Sequence, residues 1–229
     1  MSSFDERYEK VLALTSALAT NRDRMIEAAV FDLQFTVKDS AQEVKVARDR
    51  LKMYKEAQFL RDRVPLGGPG SRSCLLLSYN GSAWLNTAIT SIYMVGNKVT
   101  VKFSSRGRRI MALTREMYEP VFGSDIGFFL GHGKDFIKAA LKAPDVSAVV
   151  VFGFDENIMP YQEAFRRAGK KLVFEGPGQD AFIESARSVS RCQTLLAAEK
   201  GIHLVIHNIK SLESQGLCPN HHRSAGGTT

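Results

Sequence analysis

The chain has 229 residues, 44% hydrophobic and 24% charged, which is within the range of globular proteins and long enough for one large or two small domains. Its longest apolar runs, such as residues 148–152, fall far short of the roughly 18 to 20 residues that cross a bilayer, and the five charges in its first ten residues exclude a secretory signal, so the expected compartment is the cytoplasm. The formal charge of +7 sits mainly in residues 64–123, which contribute +5 against +1 from each flank; this points to a local anion site and away from a nucleic-acid face, which would spread its cations over several elements.

Residues 4–63 contain neither glycine nor proline, and Val11, Leu12, Leu14 and Leu18, then Met25, Ile26, Ala29, Val30 and Leu33, recur at helical spacing. Two or three helices are expected there. Residues 64–72, VPLGGPGSR, are dense in turn formers and read as a connection. After it, short β-prone runs alternate with longer amphipathic stretches. The runs are 74–79, 98–103, 126–131, 148–153, 171–176 and, less regularly, 202–207; the helical stretches are 83–94, 110–121, 135–142, 156–168 and 181–199. Strands apolar on both faces, separated by helices, predict right-handed βαβ units. The fold class expected is α/β: a doubly wound parallel sheet of about five strands with helices on both faces, preceded by an N-terminal helical segment. Ligands of such sheets bind outside the carboxyl ends of the strands, so Asn80, Ser104 to Arg106, His132, Phe154, Asp155 and residues 175–179 are the positions of interest.

Within the basic third, Lys98, Lys102, Arg106, Arg108 and Arg109 share the stretch KVTVKFSSRGRR, readable as an anion site or as a solvated loop. Neither a GxGxxG fingerprint nor a P-loop follows a strand. Cys74, Cys192 and Cys218 are too widely spaced for a disulfide framework and are expected as free thiols. Cys218, His221 and His222 are metal-ligand types without a second pair at usable spacing, so no metal is expected.

The segments LLSYNGSAWLN (76–86), GNKVTVK (96–102), PDVSAVVVFGF (144–154) and KLVFEGPGQD (171–180), with the Glu43-Val44 pair before them, resemble the coenzyme-binding domain of the aldehyde dehydrogenase superfamily, from about Arg7 to Ile183. The resemblance implies a helical segment over 1–63 packed on a Rossmann-like domain over 64–210 and a missing catalytic domain, while the polar composition of the end, HHRSAGGTT, is expected as a disordered tail over 211–229. It implies that Asn80 steadies an oxyanion, a task an amide performs without titrating; the residues alone also allow an Asx-turn capping the next helix. Lys102 matches the lysine that holds the adenosine ribose. Where many NAD-preferring members carry a glutamate, this chain has Ser105 followed by Arg106, which implies NADP, with NAD as the alternative. Gly153 matches the glycine at the coenzyme pyrophosphate, but Phe154 and Asp155 replace the usual small hydroxyl residue. Glu175 matches the general base, followed by Gly176 in place of part of an E-L-G-G segment; the residues alone also allow a helix N-terminal carboxylate. Cys218, in SQGLCPN, loosely matches the nucleophile loop but arrives late, and Cys192 arrives too early.

The activity implied is oxidation of an aldehyde to a carboxylic acid with hydride transfer to NAD(P), the partner being a small aldehyde, with no nucleic acid, no membrane and possible homo-oligomers. A CoA-dependent acylating reductase and a non-catalytic nucleotide-binding module are the alternatives.

Overall fold

A computed structural model describes residues 2–61, 63, 65, 67, 68, 70–78, 80–153, 155–175, 179, 180, 202 and 203. Three helices open the chain: α1 (Phe4–Thr20), α2 (Arg22–Leu33) and α3 (Val37–Lys52). Ser3 and Glu6 start α1 with a reciprocal capping box, and the Thr36 hydroxyl starts α3 by accepting from the Asp39 N–H at 3.1 Å. Gln34, in the left-handed region at φ 59°, ends α2.

The βα alternation follows: β1 (Arg72–Leu76), α4 (Ser82–Met94), β2 (Lys98–Lys102), α5 (Arg108–Phe122), β3 (Ile126–Phe128), α6 (Gly133–Lys142), β4 (Val146–Phe152), α7 (Asp155–Ile158), α8 (Gln162–Arg167) and β5 (Lys171–Glu175). The five strands form one parallel sheet in the order β3-β2-β1-β4-β5. The expected doubly wound sheet is therefore present, with β1 at its centre and the direction of winding reversing between β1 and β4.

Alternation along the central strands puts a different helical layer on each face. Leu75 and Leu77 join the cluster containing Val11 and Leu14 of α1, Val44 and Leu51 of α3, Leu85 and Ile89 of α4, and Met117 and Tyr118 of α5. Cys74, Val149 and Val151 join Phe136 and Ile137 of α6 and Phe165 of α8. The N-terminal helices therefore belong to the main core, through α3 against α4, α2 against α5 and α1 against both α3 and α5. Burial of this apolar surface is the dominant force holding the layers together.

Two local expectations are corrected. Strand β1 begins at Arg72 and ends at Leu76, because the backbone leaves the ladder before the turn at Asn80. The single helix expected over 156–168 is three pieces, α7, a 3-10 turn at Met159–Tyr161 and α8, because Pro160 lacks the N–H a continuous helix needs. A second compact unit, Pro177–Thr229, has as its described part β6 (Gln179–Asp180) paired in parallel with β7 (Ile202–His203). The helix expected over 181–199 and the tail over 211–229 lie outside the described residues. Among the described residues no helix is long and apolar enough to cross a membrane.

Candidate functional site

The sheet register brings the strand ends into line. Leu76 lies opposite Lys102 on one side and Val151 on the other, and Phe152 lies opposite Glu175. The Leu77 N–H donates to the Lys102 carbonyl at 2.8 Å, extending the ladder one residue past β1. The chain segments carrying Asn80, Lys102, Gly153 and Glu175 therefore share the carboxyl end of the sheet, with those of Asn80 and Gly153 on the two sides of its topological switch point.

Asn80 is half-buried, and its side-chain oxygen accepts from the Ser78 N–H at 2.9 Å. Only the carbonyl end of an amide can accept, so this bond fixes the flip of the group and leaves the NH2 as the end the turn does not use. Asn80 does not cap α4: Gly81 is the N-cap and offers no side chain. The position is taken from a distance by Glu43 of α3, whose carboxylate accepts from the Ala83 N–H at 2.8 Å. A Cβ on Gly81 would lie 2.5 Å from Glu43 Oε2 and 3.0 Å from Phe35 Cε2, so the absence of a side chain there lets the carboxylate close over the helix end.

The next helix is capped the same way. Gly107 begins α5 without a side-chain cap, and Asp32 of α2 accepts from the Ile110 N–H at 2.9 Å. Two carboxylates of the N-terminal helices thus occupy the positive ends of the helices that follow β1 and β2. Sequence reasoning missed both. The visible signal was a pair of helices opening on Gly81 and Gly107, which have no side chain to cap with; which residue fills the gap is decided by tertiary packing.

Lys102 is buried, its ammonium donates to the Phe103 carbonyl, and burial pushes its pKa below the usual lysine value. Ser105 and Arg106 are exposed on the turn between β2 and α5, where the Gly107 N–H returns to the Ser104 carbonyl at 3.0 Å. Arg108 and Arg109 follow on the surface, and Arg109 stacks over the Phe31 ring at 3.9 Å. Gly153 follows β4, and among the described residues nothing lies within 4 Å of an added Cβ. The long helix expected beyond it is replaced by the four residues of α7, too short to carry much dipole. His132 is the exposed N-cap of α6 and makes no side-chain cap bond; Gly133 beside it faces Leu76, at the end of β1. The backbone of Glu175 closes β5. Phe154, Gly176, Cys192 and Cys218 lie outside the described residues.

Cys74 is a free, buried thiol on the sheet face toward α6, and burial pushes its pKa up to about 11. At neutral pH it holds its proton and is a poor nucleophile.

No protein-family model matches the chain, and no curated protein sequence matches it. Solved structures do. A succinic semialdehyde dehydrogenase from Streptococcus pyogenes, in complex with NADP+, superposes with a TM-score of 0.70 at 14% identity, over 95% of this chain and 53% of the other. An oxidoreductase from Marinobacter aquaeolei gives 0.72 at 14% identity, over 93% and 50%. A betaine aldehyde dehydrogenase from Staphylococcus aureus, in complex with NAD+, gives 0.68 at 16% identity, over 94% and 49%. The chain shares its fold with these proteins and spans about half their length.

Proposed function

We propose that the chain is a nicotinamide-dinucleotide-binding domain of the aldehyde dehydrogenase type, and that it prefers NADP. The observation that carries this reading is the setting of Asn80: an amide pinned through its oxygen at the end of the central strand, with its NH2 left to donate at the switch point. That is the orientation a donor to a developing oxyanion requires.

The residues present fit the ribose end of such a coenzyme. Lys102 has donors beyond the one it gives Phe103, and no carboxylate stands at Ser105 to repel a 2′-phosphate. Arg106, Arg108 and Arg109 outnumber the carboxylate of Asp32 in that neighbourhood. A bound nicotinamide accepts hydride. In the parent reaction Asn80 steadies the oxygen of the substrate carbonyl as it gains charge, and Glu175 removes a proton from water. The nucleophile such a reaction needs is assigned to Cys218 at most. The substrate would be an aldehyde, oxidised to a carboxylic acid.

Calorimetric titration of the intact chain with NADP and NAD tests the reading. NADP is expected to bind about tenfold more tightly, the worth of one charged contact of roughly 1 to 2 kcal/mol. Arg106→Glu should erase the preference without changing the circular dichroism. Equal or tighter binding of NAD by the unmodified chain overturns the assignment of NADP, and binding of neither overturns the domain's coenzyme role.

A further inference from the structure

A second cationic feature lies away from the strand ends. Arg22, at the start of α2, and Lys38, Lys45, Arg48 and Lys52, along α3, line a groove of about 510 Å³. The four α3 positions recur at helical spacing and so share one face, with Lys45, Arg48 and Lys52 within two turns. Asp49 is the one carboxylate among the lining residues. It accepts from Lys45 at 2.9 Å, and the charges of Lys52 and Arg48 also hold its carboxyl below the usual range, so a single anion serves three cations. Arg22 is paired outside the groove, with Asp23 at 2.6 Å. Lys38, Arg48 and Lys52 make no ion pair or side-chain hydrogen bond with another described residue. Arg48 Nε is sealed from water with no acceptor among the described residues.

Gathering like charges in one groove is unfavourable, and so is burying a donor without an acceptor. An anion in the groove relieves the first. The volume falls in the range of roughly 300–1,000 Å³ typical of small-molecule sites, which favours a compact ligand over a macromolecular surface. Phosphate suits the charge density: a terminal phosphate brings about two negative charges and three acceptor oxygens, whereas a carboxylate brings one charge, and the Arg48 guanidinium presents the planar fork that phosphate oxygens match.

We propose that the groove between α2 and α3 binds a small anion carrying two or three adjoining phosphate groups, such as a nucleoside polyphosphate or a short inorganic polyphosphate. The site is independent of the coenzyme reading.

The test is calorimetric titration of the intact chain with inorganic triphosphate, with ATP and citrate as parallel arms. Triphosphate is expected to bind, to weaken at least tenfold in the Arg48→Gln/Lys52→Gln double variant and in Lys38→Gln/Arg48→Gln, and to be unchanged by Arg106→Glu. Circular dichroism and thermal unfolding check that the variants stay folded. ATP binding more tightly than triphosphate assigns the source as a nucleotide; the reverse assigns a free polyphosphate. The proposal is overturned by absence of triphosphate binding at millimolar concentration, by binding that the double variants leave intact, by loss in Arg106→Glu, which would put the anion on the β2–α5 turn, or by citrate, an oligoglutamate peptide or single-stranded DNA binding more tightly through the same residues.

Discussion

The carboxylate of Glu43 on α3 accepts a hydrogen bond from the backbone N–H of Ala83 in the first turn of α4, at 2.8 Å and across forty residues of sequence. It replaces the cap that Gly81 cannot supply. Glu43→Ala is expected to cost about 1 kcal/mol, within the 0.5–2 kcal/mol of a lost N-cap, read as a lower urea midpoint at unchanged slope. Gly81→Ala should cost a similar amount: its backbone, at φ −69°, accepts any residue, and the new Cβ displaces the Glu43 carboxylate. Since both changes break the same bond, the double variant should be less destabilised than the sum of the two. Strict additivity would show that the two residues do not act through one contact.

Tyr118, fully buried on α5, donates to the Asn86 side-chain oxygen at 2.8 Å, and Asn86, equally buried on α4, donates in turn to the Ser82 carbonyl at 2.7 Å. Tyr118→Phe keeps the ring contacts with Phe122 and Phe128 and strips the amide oxygen of its donor. The expected loss is about 1–3 kcal/mol, the cost of an unsatisfied buried acceptor. A change below a few tenths of a kcal/mol in chemical denaturation would refute the role given to this bond.

The Cys74 thiol, raised by burial from its usual value near 9 to about 11, favours the protonated form in the folded chain. Its contribution to stability is complete below pH 9 and is lost as the pH rises from about 9 to 11, amounting to roughly 2–3 kcal/mol. Unfolding curves for the wild type and Cys74→Ala from pH 7 to 11 should converge or cross over that window, because the tyrosines and lysines titrate in both. A thiol reagent at pH 8 should leave Cys74 unmodified until denaturant is added. Rapid modification of the native chain at this residue would contradict its burial.

The chain by itself is expected not to oxidise aldehydes at an enzymatic rate. Nucleophilic catalysis needs a thiolate held within near-attack distance of the carbonyl, and Cys74 is buried and protonated. Without the nucleophile, an oriented amide and a base retain little of the rate enhancement of the whole unit. NADPH absorbance measured over aliphatic and aromatic aldehydes, with intact chain, Cys192→Ala and Cys218→Ala, decides this. Turnover that disappears only in Cys218→Ala would make that residue the nucleophile.

The sheet was legible because its strands advertise themselves: Ala148 to Phe152 is apolar at every position, as a strand buried on both faces must be. The break within 156–168 has a visible sign in the sequence as well, since Pro160 lacks the N–H that a continuous helix needs. Asn80 could be placed at a strand end from sequence, but the bond from Ser78 that fixes its flip depends on how the turn closes. The caps from Glu43 and Asp32 were out of reach for a different reason. Each joins residues far apart in sequence, and nothing local distinguishes a capping carboxylate from the other acids on α2 and α3. The same applies to the α3 groove, whose cations are spread from Arg22 on α2 to Lys52 at the end of α3, in a segment of nearly balanced charge.

The place of β1 in the sheet has a consequence for how the chain is made. Its neighbour β2 follows within one helical crossover, but its other neighbour, β4, is not synthesised until residues 146–152, where Val149 pairs with Cys74. On a ribosome adding about 5–20 residues per second, the central strand leaves one edge of backbone donors and acceptors without a partner for a matter of seconds, while α4, β2, α5 and β3 assemble on the other side. Such an edge is a template for any extended chain that reaches it. Aggregation during expression should therefore be most sensitive to substitutions that slow the arrival or weaken the pairing of β4, even where the finished protein tolerates them.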